Sequence, residues 1–153
     1  MLENRADYST QARRVMYLAG WSMIKAHPFF GIGPEGVQYE FDHYKPDTYI
    51  PKAWYGHLHS DYLQTAASRG IPALLFLLWF FAGALRDEHR LAAQDDGWLA
   101  PWLSRGAAAA SISYYVEGAV EYNFGGSQVV MLWLFLLVLG YATRNRTPDP
   151  ILC

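Results

Sequence analysis

The sequence has a single cysteine, Cys153 at the last position. That excludes an intrachain disulfide and any cysteine-based metal cluster. Charge is scarce as well, at 17% of residues with a formal net charge of -2. Without a basic field there is nothing to neutralise a phosphate backbone, so no nucleic acid is expected as a partner. The opening stretch MLENRADYSTQARRVMYLAG carries charge within three residues and no uninterrupted apolar core before Arg13, so it does not read as a cleavable signal peptide. The turn Gly31-Ile32-Gly33-Pro34 lacks the Lys-Ser/Thr that a phosphate cradle needs.

Apolar and aromatic residues are abundant: 52% of the chain is hydrophobic and 16% aromatic. Their distribution changes at Gly70. Before it lie most of the Pro, His, Tyr and charge; after it come apolar stretches separated by short polar breaks. Gly70 to Leu85 holds sixteen residues without a charge between Arg69 and Arg86, and Phe124 to Thr143 holds twenty, stopped by Arg144 and Arg146. As helices, such runs approach the ~30 Å thickness of hydrocarbon, with arginines able to snorkel at the ends; for Gly70 to Leu85 the alternative is a buried core helix. The intervening Ala100 to Asn123 is apolar on average, with small residues from Gly106 to Ser111 that permit close helix approach. It also carries Glu117 and Glu121, which helical spacing places on one face: either a functional pair or the headgroup end of a span.

The fold expected from this pattern is an all-α integral membrane protein. Residues 1–69 form a helical loop region outside the membrane, residues 70–143 carry about three transmembrane helices (70–86, 104–122 and 125–143), and residues 144–153 form a disordered tail. Arg86 and Arg90 in the first loop and Arg144 and Arg146 in the tail fall on one side of three spans. The positive-inside rule makes that side cytoplasmic and leaves the polar segment outside the inner membrane.

Within the polar segment, Ser9 to Pro28 reads as an amphipathic helix with a stripe of Val15, Tyr17, Leu18, Trp21 and Ile24, closed by His27 ahead of Pro28. Arg13, Tyr17, Gly20 and Ile24 form one ridge at i, i+4, i+7 and i+11. Asp42 to Tyr55 is a Tyr- and Pro-rich loop. The stretch HLHSDYLQTAASRGIPA then sets His57, His59 and Asp61 just before a helix running from Asp61 to Arg69, ended by Gly70, with Pro72 in the first turn of the next. His57, His59 and Asp61 match the start of a His-x-His-x-Asp-His metal motif, but Tyr62 stands where its last histidine belongs, and no metal and no other cofactor is expected.

Arg13 with an aromatic four residues on, then HPFFGIG, a Tyr-rich loop, and HLHSDYLQTAASRGIPALLFLL resemble the C-terminal part of the O-antigen ligase and O-antigen polymerase superfamily of bacterial membrane glycosyltransferases. The ligase pattern of His, a small polar residue, nine residues, Gly, two residues and Gly is met by His59, Ser60 and Gly70, with Ala73 in place of the last glycine. The resemblance runs from about Tyr8 to Tyr141, with Tyr17 where a tryptophan is common. It implies transfer of a glycan from undecaprenyl diphosphate, at the periplasmic face of the inner membrane, to an acceptor hydroxyl on lipid A core, a growing chain or a protein side chain.

By the same resemblance, His59 is the catalytic base or an acceptor-orienting residue, and Arg13 is one of the arginines that grip the diphosphate. Arg14 is the alternative to Arg13. Arg69 is a phosphate contact or a snorkelling anchor, His57 a substrate contact or a loop hydrogen-bonding group, and Asp61, with Tyr62, an acceptor-positioning residue or a helix cap. Family members are larger, so the chain is expected to need a missing N-terminal transmembrane half and to be inactive alone. The alternative of another class is a non-catalytic membrane subunit that binds carrier lipid.

Overall fold

The computed structural model describes residues 3–46, 56–93 and 99–142. Among them the chain is all helical: α1 (Glu3–Ala26), α2 (Gly36–Tyr44), α3 (Asp61–Arg69), α4 (Ile71–Ala92), α5 (Leu99–Glu117), a 3-10 turn (Asn123–Gly125) and α6 (Ser127–Ala142). They divide into two compact units, one of residues 1–77 with 118–123 and one of 78–117 with the residues after 123. The expected tail 144–153 and most of the Tyr- and Pro-rich loop lie outside the described residues.

The first unit is built on α1. Ala12, Met16, Ala19 and Met23, spaced four, three and four apart, are buried together with Ile24, Val37, Phe41, Leu58 and Ala67. That stripe is rotated from the expected one: Leu18 and Trp21 are 47% and 54% exposed. Small and flexible side chains line the seam because α1 and α3 lie close. A Cβ on Gly20 would stand 2.7 Å from Leu58 Cδ1 and 2.9 Å from Leu63 Cδ2. Close-packed cores favour such a fit over bulk.

The HPFFGIG segment acts as a clasp on α3. Pro28 follows the end of α1, and the chain then lays Ile32 N–H on Ala67 O at 2.9 Å and Gly33 N–H on Ser68 O at 3.0 Å, satisfying carbonyls that the end of α3 leaves open. In return Ile71 N–H donates to Pro28 O at 2.7 Å. Gly31 (φ +65°) and Gly70 (φ +89°) make the crossing possible: a Cβ on the first would meet Ser68 C at 2.3 Å, and on the second Phe29 O at 2.2 Å. These glycines serve backbone approach within the protein.

In the second unit α5 packs on α6 through Ser104, Ala107, Ser111 and Tyr114, all buried, with a Cβ on Gly140 just 3.4 Å from Ala107 Cβ. Gly106, within the expected small-residue stripe, faces open space. Aromatic rings fill the rest, with Phe81 stacked on Tyr115 at 3.9 Å and Tyr114 on Trp133 at 4.7 Å. The stretch from Arg86, expected as a cytoplasmic loop, is helical to Ala92 and buries Glu88 completely. Ser111 Oγ donates to Glu88 Oε1 at 2.9 Å and accepts from Trp133 Nε1 at 3.0 Å, giving one of the two buried carboxyl oxygens a partner.

The expected spans are corrected by these bounds. Among the described residues no helix is long and apolar enough to cross a membrane. α6 has 16 residues, about 24 Å of helix against ~30 Å of hydrocarbon. α4 runs from its apolar part into Arg86, Asp87 and Glu88, and α5 ends at Glu117, five residues before the expected end of its span.

Candidate active site

Ser60 caps α3, its hydroxyl accepting from Leu63 N–H at 3.4 Å, and Gln64 Oε1 reaches back to Leu58 N–H at 3.0 Å. Between these fixed points His59 adopts φ +49°, the only positive φ of a non-glycine residue among the described residues. A histidine in the left-handed region costs of order 1–3 kcal/mol and persists where its surroundings enforce it. Here the enforcing element is the turn after α5. Gly118 O accepts from Asp61 N–H at 2.8 Å and from Ser60 Oγ at 3.3 Å, while Tyr17 Oη donates to His59 O at 3.2 Å and lies 3.5 Å from Ala119 O.

That turn delivers Glu121 to the histidine. His59 Nδ1 lies 2.9 Å from Glu121 Oε1. A carboxylate only accepts, so in the neutral ring Nδ1 carries the proton and Nε2 is the basic nitrogen. Glu121 Oε1 also accepts Tyr122 N–H at 3.2 Å, and Arg13 Nη2 stands 4.0 Å from Oε2. The His57 ring lies 4.5 Å from the His59 ring and 5.4 Å from that of Tyr122.

Electrostatics follow from this packing. Burial holds the His57 imidazole below its ordinary value, the charge of His59 pushes the same way, and Glu121 opposes them. Burial works to raise Glu121, yet the Tyr122 N–H, the His59 hydrogen bond and the charges of both imidazoles outweigh it, so its carboxyl lies below the usual value. Burial and the neighbouring Asp61 raise the Tyr62 phenol, which stays protonated and able to donate.

The residues singled out from sequence therefore separate. Arg13, His57 and His59 come together around Glu121. Asp61 is buried in the first turn of α3, its backbone tied to Gly118, where helix N–H groups favour its charge. Arg14 and Arg69 are exposed on α1 and at the end of α3, and neither enters the cluster. Glu121 was paired in the sequence with Glu117 on a common helix face. That placement is corrected, because α5 stops at Glu117, and Glu121 belongs to the turn. The signal that pointed to it was a carboxylate inside an apolar stretch.

Beside His59 opens a cavity of about 380 Å³ lined by Tyr17, Trp21, Ser60, Tyr62, Leu74 and Ala119, among others. It shares Tyr17 and Ser60 with the frame that holds the histidine.

Residues 2–78 match the family model described as O-antigen ligase. The chain belongs to the O-antigen ligase family. No curated protein and no solved structure matches it. The matched segment contains the clasp, the whole of α3 and His59; Glu121 lies beyond it, and tertiary structure alone brings it to His59.

Proposed function

We propose that this chain supplies the acceptor-activating site of a glycosyl transfer from undecaprenyl diphosphate to a hydroxyl, in lipopolysaccharide or related cell-surface polysaccharide biosynthesis at the periplasmic face of the bacterial inner membrane. The observation that carries the reading is the contact of His59 Nδ1 with Glu121 Oε1 at 2.9 Å. Glu121 fixes the tautomer and stabilises the imidazolium that forms when Nε2 takes the acceptor's proton. The acceptor oxygen then bonds to the anomeric carbon. The carbon–oxygen bond to the diphosphate breaks, and the lipid diphosphate leaves with the bonding pair. Arg13 at the edge of the cluster, with Arg14 and Arg69 as further candidates, would balance charge on that leaving group.

The aromatic, apolar cavity beside His59 suits the lipid-proximal part of the donor. Lipid contact is supported by large exposed apolar side chains, among them Phe76 and Trp79 on α4 at 70% and 74%, and Met131 on α6 at 68%. The same cavity favours a second reading, a non-catalytic subunit that only holds carrier lipid.

Replacing the chromosomal gene with His59→Ala tests both. Loss of glycan-bearing lipid on a gel at equal protein level, by the ~10²–10⁴-fold that a general base contributes, is the expected outcome. An unchanged ladder refutes the catalytic reading and leaves the lipid-holding one. Loss of chain lengthening alone points to a polymerase, and loss of glycan on protein alone to a protein-directed transferase.

A further inference from the structure

The sequence motif His57-x-His59 ends at Tyr62 without its expected third histidine, and the fold supplies a different third ligand. His57, His59 and Glu121 each offer one ligand atom, and the three atoms lie within 4.8 Å of one another. We propose that His57, His59 and Glu121 form a site for a zinc-type divalent cation, and that its occupation switches off the base function of His59.

Two imidazoles and a carboxylate with a free fourth position are a donor set typical of Zn²⁺. Bonds of about 2.0–2.2 Å place tetrahedral ligand atoms roughly 3.3 Å apart. His59 Nδ1 and Glu121 Oε1 are 2.9 Å apart, so the remaining adjustment falls mainly on the His57 ring, which follows Gly56 (φ +77°) and is half-buried. The cluster is open to entry, the Glu121 side chain being 38% exposed. Arg13, 4.0 Å from Glu121 Oε2, opposes a dication and must swing away, which its half-exposed position allows.

The inhibitory consequence rests on the proposed function. A cation takes Nδ1 in place of its proton, so the neutral ring then carries its proton on Nε2 and no longer accepts one from an acceptor hydroxyl. The Glu121 carboxylate is engaged by the same ion.

Titration of the purified chain in detergent with Co²⁺ tests the site. The expected result is one equivalent bound, with the visible absorption of four-coordinate Co²⁺, displaceable by Zn²⁺. Affinity should fall more than tenfold in both His57→Ala and Glu121→Gln and rise several-fold in Arg13→Ala, at unchanged helical circular dichroism. If a variant loses helicity, the wild-type histidine ring resonances decide. Those of His57 and His59 must shift with Co²⁺ while those of His27, His43 and His89 stay in place. Absence of the absorption band, binding that survives both ligand variants, or shifts confined to the other histidines overturns the site. Zn²⁺ inhibition of glycan transfer in source-cell membranes, reversed by chelator, supports the switch; binding without inhibition leaves the site standing and removes His59 Nε2 as the base.

Discussion

His59 and Glu121 are 62 positions apart in sequence and 2.9 Å apart in space, with the imidazole Nδ1 on one oxygen of the carboxylate. Nothing local holds them together. The histidine stands before α3, the glutamate in the turn after α5, and the joints are Gly118 O on Asp61 N–H and on Ser60 Oγ. His59 is thus positioned by the turn that carries its partner.

Glu121→Gln keeps an oxygen for Nδ1–H but removes the charge that stabilises the imidazolium. Glycan transfer measured in source-cell membranes should fall about 10- to 100-fold, at unchanged protein level, a loss smaller than that of His59→Ala. Equal transfer by Glu121→Gln and wild type would sink the pairing as a catalytic device.

Acidification should weaken the first unit. His57 and Glu121 both have folded-state values below their ordinary ones, so the unfolded chain binds protons more readily than the folded one. By linkage their stabilisation is complete above the ordinary values and is lost as the pH falls: first below ~6.5 through His57, then in the acid range through Glu121. Thermal melts between neutral and acid pH should show both phases, and His57→Gln should erase the upper one. A melting temperature constant down to the carboxylate range would refute the His57 assignment.

Gly31→Ala and Gly70→Ala should each prevent stable folding of the clasp. At both, a positive φ costing ~1–2 kcal/mol is joined by a Cβ meeting backbone atoms, Ser68 C at 2.3 Å and Phe29 O at 2.2 Å. Gly33→Ala is the control, since its φ is +99° but no atom lies within 4 Å, so only the backbone contribution remains. Denaturant unfolding ranks the three. Equal losses at Gly33 and Gly70 would mean that contact with Phe29 does not matter.

Ser111→Ala should destabilise the second unit by ~1–3 kcal/mol. It strips the fully buried Glu88 of its donor and leaves Trp133 Nε1 without its acceptor. Glu88→Gln, which needs no charge stabilisation, should tolerate the serine change better. A double-mutant cycle showing no coupling would remove the network as a source of stability.

Several elements were legible in the residues. Gly70 after the last turn and Pro72 in the next helix bound the end of α3 and the start of α4 through local backbone chemistry, while the cap of α3 proves to be Ser60, one residue before Asp61. The ridge of Arg13, Tyr17, Gly20 and Ile24 was also readable, and Gly20 proves to be where α1 meets Leu58 and Leu63. The apolar runs were legible as helices, but their ends were not. Hydropathy does not record that Ser111 and Trp133 can admit Glu88 into a helix's buried face, so α4 continues past Arg86 to Ala92.

The sequence by itself determined the helical class and the motif that marks the O-antigen ligase family, with His59 inside it. Each depends on residue type and short-range spacing, which the backbone reads within a turn or two. Tertiary structure decided that α5 ends at Glu117, that Arg13 and not Arg14 stands by the cluster, and that Glu121 completes it with His57 and His59. Those outcomes depend on hydrogen bonds closing a 62-residue separation, and no local pattern encodes such a closure.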